Sequence, residues 1–116
     1  KLLEVSDLIS VHLNLSMETK NLLDKYRLKK MKPGAIIINT SRGGIVNEKA
    51  LYELLRDKKI AGAGVDVFDV EPYQGALKEL DNVILTPHIG SYAKEIRIKM
   101  EMEAAKNLVR GLNEKK

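Results

Sequence analysis

The chain has 116 residues, 44% of them hydrophobic and 31% charged, with a net charge of +4 and no cysteine. The apolar content excludes a disordered tail, and scattered lysines with one Phe and no Trp give no platform for nucleic acid. Disulfides and thiolate metal sites are excluded, no metal site is expected, and no run reaches transmembrane length; Lys1-Leu2-Leu3-Glu4 is not a signal peptide, so a cytoplasmic protein without membrane contact is expected.

In chain order, Leu2 to Ser6 reads as the tail of a helix. Asp7 to Leu13 is β-rich and predicts a first strand, and Asn14 to Thr19 a polar loop. Asn21 to Met31 holds a short helix, closed by Lys32-Pro33-Gly34. The apolar run Ala35 to Asn39 predicts a second strand buried on both faces, as in a parallel sheet. It leads into a turn carrying Arg42, Gly43 and Gly44. Ala50, Leu51, Leu54 and Leu55 then fall at helical spacing, with Asn47 as N-cap. Ile60 to Phe68 predicts a third strand whose small residues suit close approach of a helix or ligand. A loop from Glu71-Pro72 to Asp81 precedes a fourth strand, Val83 to Thr86, stopped by Pro87. The last helix, about Tyr92 to Leu112, is apolar over a wide arc, so it is expected to pack on both sides, as a connector between domains or subunits would. The alternative is a single large core face.

Strands alternating with helices imply parallel βα units with right-handed crossovers. Ligands in such sheets bind beyond the carboxyl ends of the strands. His12, Arg42, Asp66 and His88 each fall at or just past such an end, so one rim collects an arginine, an aspartate and both histidines of the chain. Arg42 can fork two hydrogen bonds onto a carboxylate or phosphate. Taken singly, Arg42 is a surface ion pair, His88 a satisfied loop residue, Asp66 a loop cap and Glu71 a solvated charge. The shared rim favours a functional reading for Arg42, Asp66 and His88. His12 is read as structural.

Three blocks carry a resemblance. They are Lys32 to Leu51, containing Asn39-Thr40-Ser41-Arg42-Gly43-Gly44-Ile45-Val46-Asn47-Glu48; Ala61 to Phe68 with Glu71-Pro72; and Asn82 to Ser91, containing Thr86-Pro87-His88-Ile89-Gly90-Ser91. In order and spacing they resemble the NAD-binding domain of the D-isomer-specific 2-hydroxyacid dehydrogenases, the D-3-phosphoglycerate dehydrogenases first, with the glyoxylate or hydroxypyruvate reductases as the alternative. The resemblance implies an α/β, Rossmann-type parallel sheet and an enzyme moving a hydride between NAD, or NADP, and a small 2-oxo or 2-hydroxy acid. It implies that Arg42 binds the substrate carboxylate, that His88 is the acid/base and that Glu71 is its partner. A carboxylate beside an imidazole orients it and favours proton donation near neutral pH. By the same resemblance Asp66 lies near the nicotinamide carboxamide, and Leu13, Thr40, Ser41, Gly90 and Ser91 contact cofactor. Arg42 and His88 belong to that cofactor-facing set as well. A homodimer is also implied. Asn14 and Asn47 depart from the family's usual proline and aspartate, and neither replaces a catalytic group.

Nowhere does the sequence contain G-x-G-x-x-G after a strand, nor the acidic residue that would follow it to hold the ribose. Residues 1–116 are therefore expected to be the second half of a dinucleotide-binding domain, with a long interface helix at its end. The Gly-rich half and the substrate domain would lie elsewhere, and the isolated chain is expected to be inactive. A nucleotide-sensing, corepressor-like binding protein on the same scaffold is the competing reading.

Overall fold

The computed structural model describes residues 1–114. Four parallel strands, β1 (Leu8–Val11), β2 (Ile36–Asn39), β3 (Gly62–Val65) and β4 (Val83–Leu85), lie side by side in chain order. The registers Ile9↔Ile37↔Ala63↔Val83 and Val11↔Asn39↔Val65↔Leu85 run straight across the sheet. Four helices accompany them: α1 (Leu2–Val5), α2 (Lys25–Leu28), α3 (Glu48–Arg56) and α4 (Lys94–Glu114). A 3-10 turn at Ala76–Glu79 sits in the β3–β4 connection.

Each strand is shorter than its apolar run, because residues such as Phe68 and Leu13 continue past the sheet edge as loop. One face of the sheet is the core. Ile9, Val11, Ile37, Ala63 and Val65 pack there against Leu28, Leu51, Leu54 and Leu55. The opposite face, Leu8, Ser10, Ile36, Ile38, Gly62, Gly64 and Ile84, carries no helix among the described residues. Leu8 is 57% and Ile84 73% exposed. The expectation that β2 is buried on both faces is thus corrected: Ile37 is buried, Ile36 is exposed and Ile38 half-buried. The cause is topological. The crossover helices α2 and α3 both land on one side, which leaves an apolar run facing out on the other.

Helix α4 runs clear of this body, and none of its described residues is buried. Its wide apolar arc (Ile96, Ile98, Met100, Met102, Leu108, Val109 and Leu112) is about half exposed or more at each position among the described residues. The expected packing is between domains or subunits, and the apolar arc of α4 is left open to such a partner among the described residues. Among the described residues, no helix is long and apolar enough to cross a membrane.

Local signals explain the element that leads from the Arg42 turn. Asn47 has extended backbone, and its Oδ1 accepts the Ala50 N–H at 2.8 Å, which starts α3. Its Nδ2 donates to Asn21 Oδ1 at 3.0 Å and so ties the 14–24 loop to the same turn. Replacing Asn47 with Ala should cost about 1 kcal/mol, while Asn47→Asp, which keeps the acceptor, should stay nearer the parent; urea unfolding midpoints of both variants check this.

Candidate active site

The parallel register places the carboxyl ends of all four strands on one rim, as the alternating pattern predicts. On this rim Arg42, Glu71 and His88 line one open cavity of about 780 Å³, together with Leu15, Lys20, Asn21, Gly43, Gly44, Val46, Phe68 and Asp69. His12 does not line it; it is exposed and its Nε2 is paired at 2.8 Å with the Ser10 hydroxyl.

The Arg42 turn is shaped from inside by Asn39. This side chain, 4% exposed, sits on the buried face at the end of β2. Its Oδ1 accepts from the Ser41 N–H (3.2 Å) and hydroxyl (3.0 Å), and its Nδ2 donates to the Arg42 carbonyl at 3.1 Å. The sequence reading gave Asn39 no role. The available signal was an amide closing an apolar run on its buried phase, where a polar group must be satisfied locally. Gly43 follows. A Cβ there would overlap the Phe68 carbonyl, so the Arg42 turn and the turn after β3 touch through backbone. Arg42 itself is exposed; its Nη1 donates to the Ser41 carbonyl at 2.6 Å. None of the ion pairs among the described residues involves it.

Glu71 and His88, 17 residues apart, meet at 2.9 Å between Oε2 and Nδ1. The other Glu71 oxygen accepts the Phe68 N–H at 3.1 Å. The hydrogen bond to His88, then that from Phe68, holds the Glu71 carboxyl below its ordinary value. With Nδ1 committed to Glu71, Nε2 is the ring atom left for a ligand.

The His88 backbone has φ +55, a conformation uncommon for a residue with a side chain. Asp66 holds it there. This carboxylate is 4% exposed; Oδ1 accepts from the Thr86 hydroxyl (2.5 Å) and the Ile89 N–H (2.9 Å), and Oδ2 accepts the Gly90 N–H at 3.0 Å. Burial pushes the Asp66 carboxyl up, but these three hydrogen bonds and the nearby His88 outweigh it and hold it below the ordinary Asp value. Asp66 thus bridges the 86–90 loop. The sequence reading gave it a cofactor-facing place and missed this clamp.

The remaining rim residues differ in availability. Thr40 and Leu13 are exposed, Gly90 is exposed, and Ser41 and Ser91 are half-buried. They leave polar and apolar surface at the strand ends, the edge where parallel sheets bind ligands. No glycine-rich strand-to-helix turn is present to cradle a pyrophosphate, so the residues of this chain fit one end of such a cofactor only. Among the described residues, no group of three or more His, Cys, Asp or Glu is placed to hold a metal.

Residues 1–90 match the D-isomer specific 2-hydroxyacid dehydrogenase family, NAD binding domain. The chain belongs to that family. It is 50% identical over 109 residues to a glyoxylate reductase of Thermococcus litoralis, covering 93% of this chain and 33% of that protein. A D-3-phosphoglycerate dehydrogenase of Archaeoglobus fulgidus is 43% identical over 110 residues, covering 93% of this chain and 21% of the relative. Among solved structures, an acyclic imino acid reductase in complex with NADPH and D-Arg superimposes with a TM-score of 0.91 at 36% identity, over 97% of this chain and 36% of its own. The chain spans about a third of the length of the first curated relatives it matches. The α/β, Rossmann-type reading and the family resemblance therefore both stand.

Because the folded pKa of Asp66 is depressed, its stabilisation is complete above the ordinary Asp pKa of about 3.9 and is lost as pH falls through the lower folded value. Asp66→Asn should lower stability near neutral pH by about 1–3 kcal/mol and flatten the loss of stability in acid. Urea unfolding midpoints measured from neutral pH downwards check both effects.

Proposed function

We propose that this chain is the second half of the dinucleotide-binding domain of an NAD(P)-dependent D-2-hydroxyacid dehydrogenase. The observation that carries this reading is the Glu71–His88 pair facing Arg42 across one cavity at the carboxyl rim. A cation that forks onto a carboxylate, beside an imidazole oriented by a carboxylate, suits a small 2-oxo acid. In reduction, Arg42 holds the substrate carboxylate and draws charge from the neighbouring carbonyl. His88 delivers a proton from Nε2 to the carbonyl oxygen, while Glu71 fixes the ring through Nδ1 and stabilises its charged form. A bound nicotinamide would supply the hydride. Leu13, Thr40, Ser41, Asp66, Gly90 and Ser91 would face that end of the cofactor. In the oxidative direction His88 removes the hydroxyl proton.

Among substrates, glyoxylate is the first candidate, followed by hydroxypyruvate and 3-phosphohydroxypyruvate. The higher identity of the relatives named glyoxylate reductase supports glyoxylate over the phosphoglycerate-first order that the motifs suggest, and the hydroxypyruvate reductase and the D-3-phosphoglycerate dehydrogenase stand close together behind them.

The test is NADH and NADPH oxidation by the full-length protein with these three acids. Turnover with at least one is expected, and none with any would overturn the reading. In that protein Arg42→Lys should lower kcat/KM about 100-fold, chiefly through KM, because an ammonium cannot fork onto a carboxylate. His88→Ala should lower kcat by about 10²–10⁴-fold, the range of general acid–base catalysis.

The 116 residues alone should show no saturable NADH binding by fluorescence titration. They contain no pyrophosphate cradle, and the sheet face and β1 edge that they expose would be covered in a complete domain.

A further inference from the structure

Glu48 is the first residue of α3. An acidic residue there ordinarily serves the helix N-terminus from solvent. This one is half-buried and reaches across the rim, where its Oε1 accepts the Asp69 N–H at 2.8 Å. The adjacent Phe68 N–H goes to Glu71, and Glu71 goes to His88. The Phe68 carbonyl rests on Gly43, next to Arg42. Glu48 therefore fastens the turn that carries Glu71 to the element that follows the turn carrying Arg42.

We propose that Glu48 is a positioning residue for the reaction, setting the Glu71–His88 pair against Arg42 through the Asp69 N–H. This rests on the dehydrogenase reading above. Without the acceptor, the exposed Asp69 N–H is left to water and the 68–71 turn loses its tie to α3 and is free to lift from Gly43. The grip of Glu71 on His88 and the span from His88 to Arg42 then loosen together. Glu71 is faced by His88 and by the charge of Asp66, and Asp69, Arg42 and Lys20 line the same cavity. Lys78 lines a neighbouring cavity on its other side. Loss of the Phe68 and His88 hydrogen bonds lets the Glu71 carboxyl rise toward its ordinary value.

The experiment uses the full-length protein and compares E48A, E48D and E48Q by kcat, KM and the pH profile of kcat/KM, with thermal midpoints measured in parallel. E48D keeps the charge but draws the acceptor back by one methylene; E48Q loses the charge but keeps the reach. The expected result is a loss of kcat/KM of about tenfold in E48A and E48D, mainly in kcat, with the acid limb moved to higher pH. E48Q should stay within about threefold of the parent, with its pH profile. If E48A does not fold, the contrast between E48D and E48Q decides alone. A parent-like E48D overturns the proposal, since the charge at the helix start would then be what matters; an E48Q as impaired as E48D overturns it too, since an acceptor at the right reach would then not be what sets the pair. E71Q is run beside them. If it leaves kcat and the pH profile unchanged, the catalytic pairing itself is wrong and this inference falls with it; if E71Q collapses activity while E48D does not, Glu48 alone is refuted.

Discussion

The carboxylate of Asp66 is the interaction on which the rim depends. It is buried at the end of β3, yet it stays charged because three donors from one short loop converge on its two oxygens. Those donors, from Thr86, Ile89 and Gly90, bracket His88 and hold its backbone in a conformation that side chains seldom adopt. Burial of the charge and constraint of the loop sustain each other. Freed from the carboxylate, the loop would relax; freed from the loop, the carboxylate would be an unpaired charge in the core.

A second constraint is the contact between turns. Gly43 admits the Phe68 carbonyl because it has no Cβ, and this brings the turn after β2 against the turn after β3. Asn39 shapes the first turn from below and Glu48 fastens the second from the side. Arg42 and Glu71 are thus placed by backbone contact and by polar groups the sequence does not advertise. His88 is brought to Glu71 from a third strand end, so the cavity is assembled from three successive βα units.

The uncovered sheet face and the extended α4 belong to the same picture. A parallel sheet with both crossover helices on one side leaves Leu8, Ile36 and Ile84 exposed. The chain belongs to the dehydrogenase family and spans about a third of the length of the first relatives it matches. Buried on one face only, β2 is in this chain half of what its composition encodes.

Much of this was legible in the sequence. The apolar runs and their turn residues set four strands in parallel, the spacing of Ala50, Leu51, Leu54 and Leu55 set α3, and Asn47 marked its start. Placing His12, Arg42, Asp66 and His88 on one rim needed only the βα alternation, because side chains just past parallel strands must share an edge. What the sequence could not give was which of these meet. Glu71 joins His88 across 17 residues, Asp66 turns inward to the 86–90 loop, and His12 stays with Ser10. Glu48 crosses to Asp69 over 21 residues. Local patterning fixes the period and phase of each element, but the partner of a polar side chain is fixed by distances between loops, and those exist only once the sheet has set its register.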